Sequence, residues 1–166
     1  MKYRSLIIGA FLILFSFSGL AQSKTVTEFS KTAKGYNLYL YQSMIRMLNK
    51  DKNPEFNLLI RDLDHLKWVT TDSTGTPAVS VFKKLDAGLR DEGFEEIVTY
   101  DSKDSKCHIY DLEGNGNKST WVITMLFEGV AGAVEMKGSV DMKYMSAMSS
   151  LNINKISDLL KIDHFD

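Results

Sequence analysis

Met142, Met145 and Met148 set three thioethers three residues apart, a spacing that puts them on one face of a helix about one turn apart. Soft sulfur donors in that pattern suit Cu(I) in an oxidising compartment, and Met44 and Met47 repeat the interval. A helix lying on a sheet needs the same stripe, because methionine fills irregular gaps. Packing is the stronger reading, so the three remain candidates and no metal is assigned. Cys107 and His108 are adjacent; on a strand such neighbours face opposite ways and do not converge on one ligand. His65 and His164 have no ligand spacing to either. Asp111, Glu113, Asn115 and Gly116 imitate half of a calcium loop, yet Val122 stands where the bidentate glutamate belongs. A hairpin turn explains the same residues.

Asp62, Asp64, Asp91, Glu92, Glu95 and Glu96 read as a solvated rim, since a general acid needs a desolvated cleft. No Gly-x-Ser-x-Gly elbow occurs. The sequence therefore assigns no catalytic residue and no cofactor, and an enzyme is not expected. Tyr39 and Tyr41 lie in an aromatic run; if it forms an edge strand, their rings would offer a surface to an extended peptide or partner strand. Burial of those rings beneath the preceding segment is the competing and stronger reading.

The chain starts with Lys2 and Arg4, continues with an almost unbroken apolar run from Leu6 to Phe17, and reaches Gly19-Leu20-Ala21. These are the parts of a cleavable signal peptide, residues 1–21, too short for a stable anchor. Gln22 follows the expected cut after Ala21, so the lipoprotein route, which needs a cysteine there, is not expected. The expected location is periplasmic or secreted, with no transmembrane anchor after cleavage. Of 20 basic residues two leave with the leader, so 18 face 21 acidic ones in the mature domain. That mildly acidic balance gives no reason to expect nucleic acid as a partner. Cys107 is the only cysteine, so stability must come from packing without an internal disulfide.

The elements that would position these residues follow from periodicity. Residues 22–34 are polar and read as a flexible lead-in, with a single domain over 35–166. Tyr36 to Gln42 reads as a strand and Ser43 to Asn49 as a short helix, although Leu38, Tyr41, Ile45 and Leu48 also fit one continuous helical face. Pro54 forces Asn53 away from helical geometry, a short helical turn follows over Glu55 to Arg61, and Leu63 to Thr71 reads as a strand. Thr76-Pro77 starts a helix whose stripe is Phe82, Leu85 and Leu89, stopped by Gly93. Four strands follow as a meander: Phe94–Tyr100, Cys107–Leu112, Thr120–Phe127 and Val130–Val140, joined by short turns and hence antiparallel. Asp141 caps a closing helix, and Ile153 to Ile162 forms a last amphipathic segment. The fold class is α+β: an antiparallel sheet of this meander plus one or two N-terminal strands, with helices packed on one face.

Tyr39 to Met47, the Leu63 to Val69 strand, the helix ending in Glu92-Gly93-Phe94-Glu95-Glu96 and the Gly138-Ser139-Val140-Asp141-Met142 close occur in that order. In this the chain resembles the Bacteroidetes exported family catalogued as domain of unknown function 4252, across roughly residues 25 to 160. The resemblance implies export and a compact α+β domain, and it points to regulation alongside envelope-responsive sigma factors. It brings no catalytic residue. Asp72-Ser73-Thr74 is similar to the short O-glycosylation sequon of exported Bacteroidetes proteins, with Ser73 as the acceptor. The expected function is a non-enzymatic binding module for an envelope protein, peptide or other envelope component, in a stress-responsive setting. The alternative is a periplasmic Cu(I) or small-ligand carrier using the methionine stripe; an unrecognised hydrolase ranks below both.

Overall fold

A six-stranded antiparallel sheet organises the chain. The computed structural model describes residues 22–47, 49, 52–72, 77–114, 116–141, 143–144 and 146–147. The elements in chain order are α1 (Lys24–Thr32), β1 (Asn37–Tyr41), α2 (Gln42–Met47), α3 (Pro54–Ile60), β2 (Leu63–Thr70), α4 (Ala78–Asp91), β3 (Glu95–Asp101), β4 (Ser105–Glu113), β5 (Ser119–Phe127) and β6 (Val130–Gly138). The strand order is β1-β2-β6-β5-β4-β3. The meander β3 to β6 forms as the turn signals require, and β2 joins it by pairing with β6.

Side chains alternate across a sheet, and the register turns that alternation into two different surfaces. One face carries Leu40, Leu66, Met136 and Trp121 in one row and Leu38, Trp68, Val134 and Ile123 in the next. Ile45 of α2 and Phe56, Leu59 and Ile60 of α3 close over that apolar face. Val69, Ala133, Val122 and Tyr110 point the other way, against Val26 of α1 and Leu85 and Leu89 of α4. Helices therefore lie on both faces, not on one as the periodicity suggested. The residues between β1 and β2 are long enough to cross to the side opposite α4 and seal it.

Residues 22–34 also depart from the expected flexible lead-in, because they contain a capped helix. The Ser23 hydroxyl accepts the Val26 N–H at 3.1 Å, the ordinary N-cap arrangement. Val26, Phe29 and Ala33 then meet the α4 side of the core. Polar neighbours hid that short stripe, whose three-and-four spacing was present in the sequence. Tyr36 to Met47 divides into strand and helix, with the junction at Tyr41 and Gln42.

The helix expected from Thr76-Pro77 is α4, with Pro77 at its N-cap and no side-chain cap; Thr76 lies outside the described residues. Gly93 ends it at φ +87°, a left-handed conformation in which glycine has no Cβ penalty. After β6, Asp141 accepts the Lys143 N–H at 3.1 Å and Ala147 is buried in the α2–α3 core, while the methionines of the expected closing helix lie outside the described residues. The final amphipathic segment, Ile153 to Ile162, lies outside the described residues. Among the described residues no helix is long and apolar enough to cross a membrane.

Leu66 is fully buried at the centre of the apolar face. Leu66→Ala is expected to lower the unfolding free energy by about 2–5 kcal/mol, read from the urea midpoint at unchanged slope. Gly138 has φ +144° where β6 passes the Asp62 carbonyl. Gly138→Ala adds both strain and a clash, at a cost of about 1–3 kcal/mol.

Candidate functional site

The side of the sheet under α1 and α4 carries an unusual load of polar residues. One row runs across all six strands as Tyr39, Lys67, Glu135, Val122, Tyr110 and Glu96. The flanking rows add His65 and Lys137 on one side and Thr124 and His108 on the other. Buried polar groups have to be paired, and the pairing collects them into two centres.

The first centre surrounds His108, which is buried. Its Nδ1 lies 2.9 Å from Asp86 Oδ2 and its Nε2 3.0 Å from Asp101 Oδ1. Glu96 Oε1 stands 3.7 Å from Nδ1. Asp86, buried on the inner face of α4, also accepts the Thr124 hydroxyl at 2.8 Å. Carboxylates only accept hydrogen bonds, so each ring nitrogen faces an acceptor. Both nitrogens are thereby engaged inside the protein.

Tyr110 lies beside the ring, its hydroxyl 3.5 Å from Nδ1. Burial, reinforced by the charges of Asp86 and Glu96, pushes its phenol well above the usual range, so it stays protonated. Arg90 closes the cluster through Glu96 at 2.6 Å. Chemically this is a charge clamp fixing α4 to β3, β4 and β5. Sequence reasoning did not find it because Asp86 sits inside α4, five residues from its nearer end, and its partners come from two different strands, β4 and β5.

The second centre surrounds Glu135, 1 % exposed on β6. Its Oε2 accepts the Ser23 N–H at 3.0 Å. Its Oε1 lies 3.6 Å from His65 Nε2, and neither of those two atoms has a hydrogen-bond partner among the described residues. Tyr39 stacks on the His65 ring with centroids 4.8 Å apart, and Tyr41 meets Tyr39 edge-on at 4.9 Å. Gln22 Nε2 donates to the Tyr39 hydroxyl at 3.3 Å. Burial raises the Tyr39 phenol, with Tyr41 adding to it. Burial also lowers the Lys67 ammonium, which donates to Ser30 Oγ at 2.9 Å.

Tyr39 and Tyr41 thus sit on β1, an edge strand with a neighbour on one side only. Tyr39 is 38 % and Tyr41 63 % exposed, and Tyr36 is exposed as well. The competing expectation, that the preceding segment buries these rings, leaves out α1, which turns its apolar stripe to α4. β1 pairs with β2 in unbroken register and carries no charged residue. The opposite edge, β3, is interrupted by a bulge between Glu96 and Val98. A groove of about 420 Å³ separates α1 from α4. Phe29, Ala33, Val81 and Leu85 line its floor, with Lys34 and Lys84 on its rim.

The remaining sequence candidates disperse. Met142, Met145, Met148 and Ser73 lie outside the described residues; Met44 packs against the α2–α3 core and Met47 is exposed. Cys107 and His108 point to opposite faces, toward Met125 and Thr124 respectively. Burial raises the Cys107 thiol, which suppresses thiolate reactivity. Asp111 and Glu113 belong to β4 and Gly116 to the turn into β5. Of the acidic rim, Asp62, Asp64, Asp91 and Glu95 are exposed, but Glu92 and Glu96 are not. Glu96 joins the His108 cluster. Glu92 accepts the Lys24 N–H at 2.8 Å and the Thr25 N–H at the start of α1.

Removing the imidazole leaves Asp86 as a buried, uncompensated charge. His108→Ala is expected to cost about 3–5 kcal/mol at neutral pH, measured by urea unfolding. The Thr99 hydroxyl and then Arg90 hold Glu96 below the usual carboxylate range, and Lys106 and then His108 do the same for Asp101. A lowered folded pKa contributes stability that is present above the unfolded value and lost as pH falls through the folded one. Stability should therefore decline as pH drops below about 4, and Glu96→Gln should flatten that acid limb.

Nothing among curated proteins matches the chain. The family model described as domain of unknown function (DUF4252) matches residues 29–148, from within α1 through β6 and the turns beyond it. That span includes the His108 cluster, Glu135, His65 and the β1 edge, but not Gln22 or Ser23. With well over half its length matched, the chain belongs to the DUF4252 family.

Proposed function

We propose that this is an exported, non-enzymatic module that binds an extended segment of another cell-envelope protein along the free edge of β1. The carrying observation is the unguarded character of that edge. Proteins blunt a free strand with charge, proline or a bulge. β1 has none of these and offers two exposed tyrosines, Tyr39 and Tyr41, beside its unpaired backbone, with exposed Tyr36 just before it. Strand addition takes affinity from backbone hydrogen bonds and specificity from alternate side-chain positions. Tyr39, propped against His65, supplies a rigid aromatic contact. The His108 cluster spends its ionisable groups on one another, which speaks for binding over catalysis.

Export rests on the charged start, apolar run and small residues of the first 21 positions, giving a periplasmic or secreted protein. A Bacteroidetes source and a role in a stress-responsive envelope system belong to the same reading. The α1–α4 groove favours a second reading, carriage of a small amphipathic ligand. Its apolar residues would take an acyl chain, while Lys34, Lys84, Glu28 and Asp72 line it with charges of both signs. The groove replaces the methionine stripe as the warrant for a carrier.

A photo-crosslinking residue at position 41 tests the main reading in the producing cell. A discrete adduct is expected from position 41 and none from position 100 on the far edge. Tyr39→Lys should abolish the adduct while the variant stays folded, with an unfolding free energy lower by about 1 kcal/mol for the lost stacking on His65. Equal labelling from both edges, or insensitivity to Tyr39→Lys, would reject edge binding. An adduct of twice the chain mass would identify a second copy of this protein as the occupant, in place of another envelope protein.

A further inference from the structure

Glu135 is a buried carboxylate without an adequate counter-charge. Ser23 satisfies its Oε2 through a neutral backbone N–H, and its Oε1 is unpartnered among the described residues. The imidazole at 3.6 Å is beyond hydrogen-bond length. Around Glu135 stand Lys67 and His65 on β2, Tyr39 on β1, and Glu92 at the end of α4. Lys67 directs its ammonium to Ser30. Glu92 and Glu135 both converge on the start of α1, where the helix itself supplies only about half a positive charge. Lys67 and Lys137 share the face of Glu135. Neither is within ion-pairing distance of it among the described residues, so the two carboxylates meet the start of α1 without a directly paired cation.

Leader cleavage supplies one at this position. Hydrolysis of the Ala21–Gln22 amide by a leader peptidase consumes water, leaves a carboxylate on Ala21, and gives the Gln22 nitrogen its protons. Ser23 N lies 3.0 Å from Glu135 Oε2, and a residue spans at most about 3.6 Å, so the Gln22 nitrogen is within one residue of the carboxylate. The Gln22 side chain is already held by the hydroxyl of Tyr39, whose ring stacks on His65. We infer that Glu135 is the receptor for the α-ammonium group created at Gln22 when the leader is removed. Before cleavage the same nitrogen is a neutral amide with one hydrogen; afterwards it is a cation with three donors. The inference rests on the export reading and extends it: docking of α1 gains its charge partner only after processing.

The test compares mature chains starting at Gln22 with a free amine, with an acetylated amine, and with one added alanine that displaces the charge. Mass measurement confirms that Gln22 has not cyclised. The free amine should favour folding over the acetylated form by about ten- to a hundredfold, the equivalent of one to two pKa units. The added alanine should lose most of that gain.

An ammonium whose folded pKa is raised contributes fully below its unfolded value, about pH 8, and the gain disappears as pH rises through the folded value. Glu135→Gln should remove the difference between free and acetylated chains. Should that variant not fold, direct titration of an isotopically labelled Gln22 amine in the parent decides, with a raised pKa expected. An ordinary pKa for that amine, or equal stability of free and acetylated chains, overturns the inference. The measurement uses the isolated protein, so its failure leaves the β1-edge reading standing, and failure of edge binding leaves this pairing standing.

Discussion

The contact between Asp86 and His108 decides where the largest helix can sit. Asp86 is buried on α4, and a carboxylate in that position is tolerable only with a charged or hydrogen-bonded partner. His108 at 2.9 Å and Thr124 at 2.8 Å provide both. Because one partner is on β4 and the other on β5, α4 cannot slide along the sheet or rotate without stranding its own charge. Apolar packing of Leu85 and Leu89 fixes the distance between helix and sheet but is indifferent to small shifts in register. The polar clamp sets the register. Once α4 is fixed, Glu92 at its end is positioned to cap α1, and α1 in turn covers Glu135.

The two sides of the sheet are held by different physics. The α2–α3 side is closed by contiguous aliphatic and aromatic side chains, a non-directional force that tolerates substitutions of similar volume. The α1–α4 side interleaves apolar residues with charge clusters whose geometry is directional. Polar networks under helices cost desolvation and return specificity of arrangement only when every member is satisfied. At His108 both ring nitrogens are occupied. At Glu135 one oxygen is not, and this is the local asymmetry that separates a finished clamp from an unfinished one.

The strands and α4 were legible in the sequence because their signals are local. Alternation along Thr120 to Phe127, the Gly116 turn and the Phe82-Leu85-Leu89 stripe each need only neighbouring residues. The second helical layer was not legible, since nothing in Ser43 to Asn49 or Glu55 to Arg61 says which side of a distant sheet it will cover. α1 was missed because Val26 and Phe29 are a thin stripe among polar residues, and its burial depends on Leu89 sixty positions away. The candidate sites divided in the same manner. Tyr39 and Tyr41 could be placed on a strand from a short aromatic pattern, but that the strand is an edge depends on distant pairing and was only supposed. Asp86, His108 and Asp101 could not be joined, because each looks unremarkable until β3, β4 and α4 are brought together.

The difference between the two sheet edges follows from what lies beside each. β3 is bent by its bulge, and its Glu96 is turned inward by Arg90 and the His108 cluster. That edge is a by-product of the clamp and is poorly shaped for another strand. β1 has the opposite surroundings: regular pairing with β2, a tyrosine braced on His65, and the start of α1 tied to the same tyrosine through Gln22. Whatever orders the first residues of α1 therefore also orders Tyr39, and hence the surface next to the open backbone. A charge partner for Glu135 would stiffen that corner without touching the strand itself. Rigid aromatic contacts lose little entropy on binding, so an edge supported from behind is a better acceptor for an extended chain than one that must be ordered on contact.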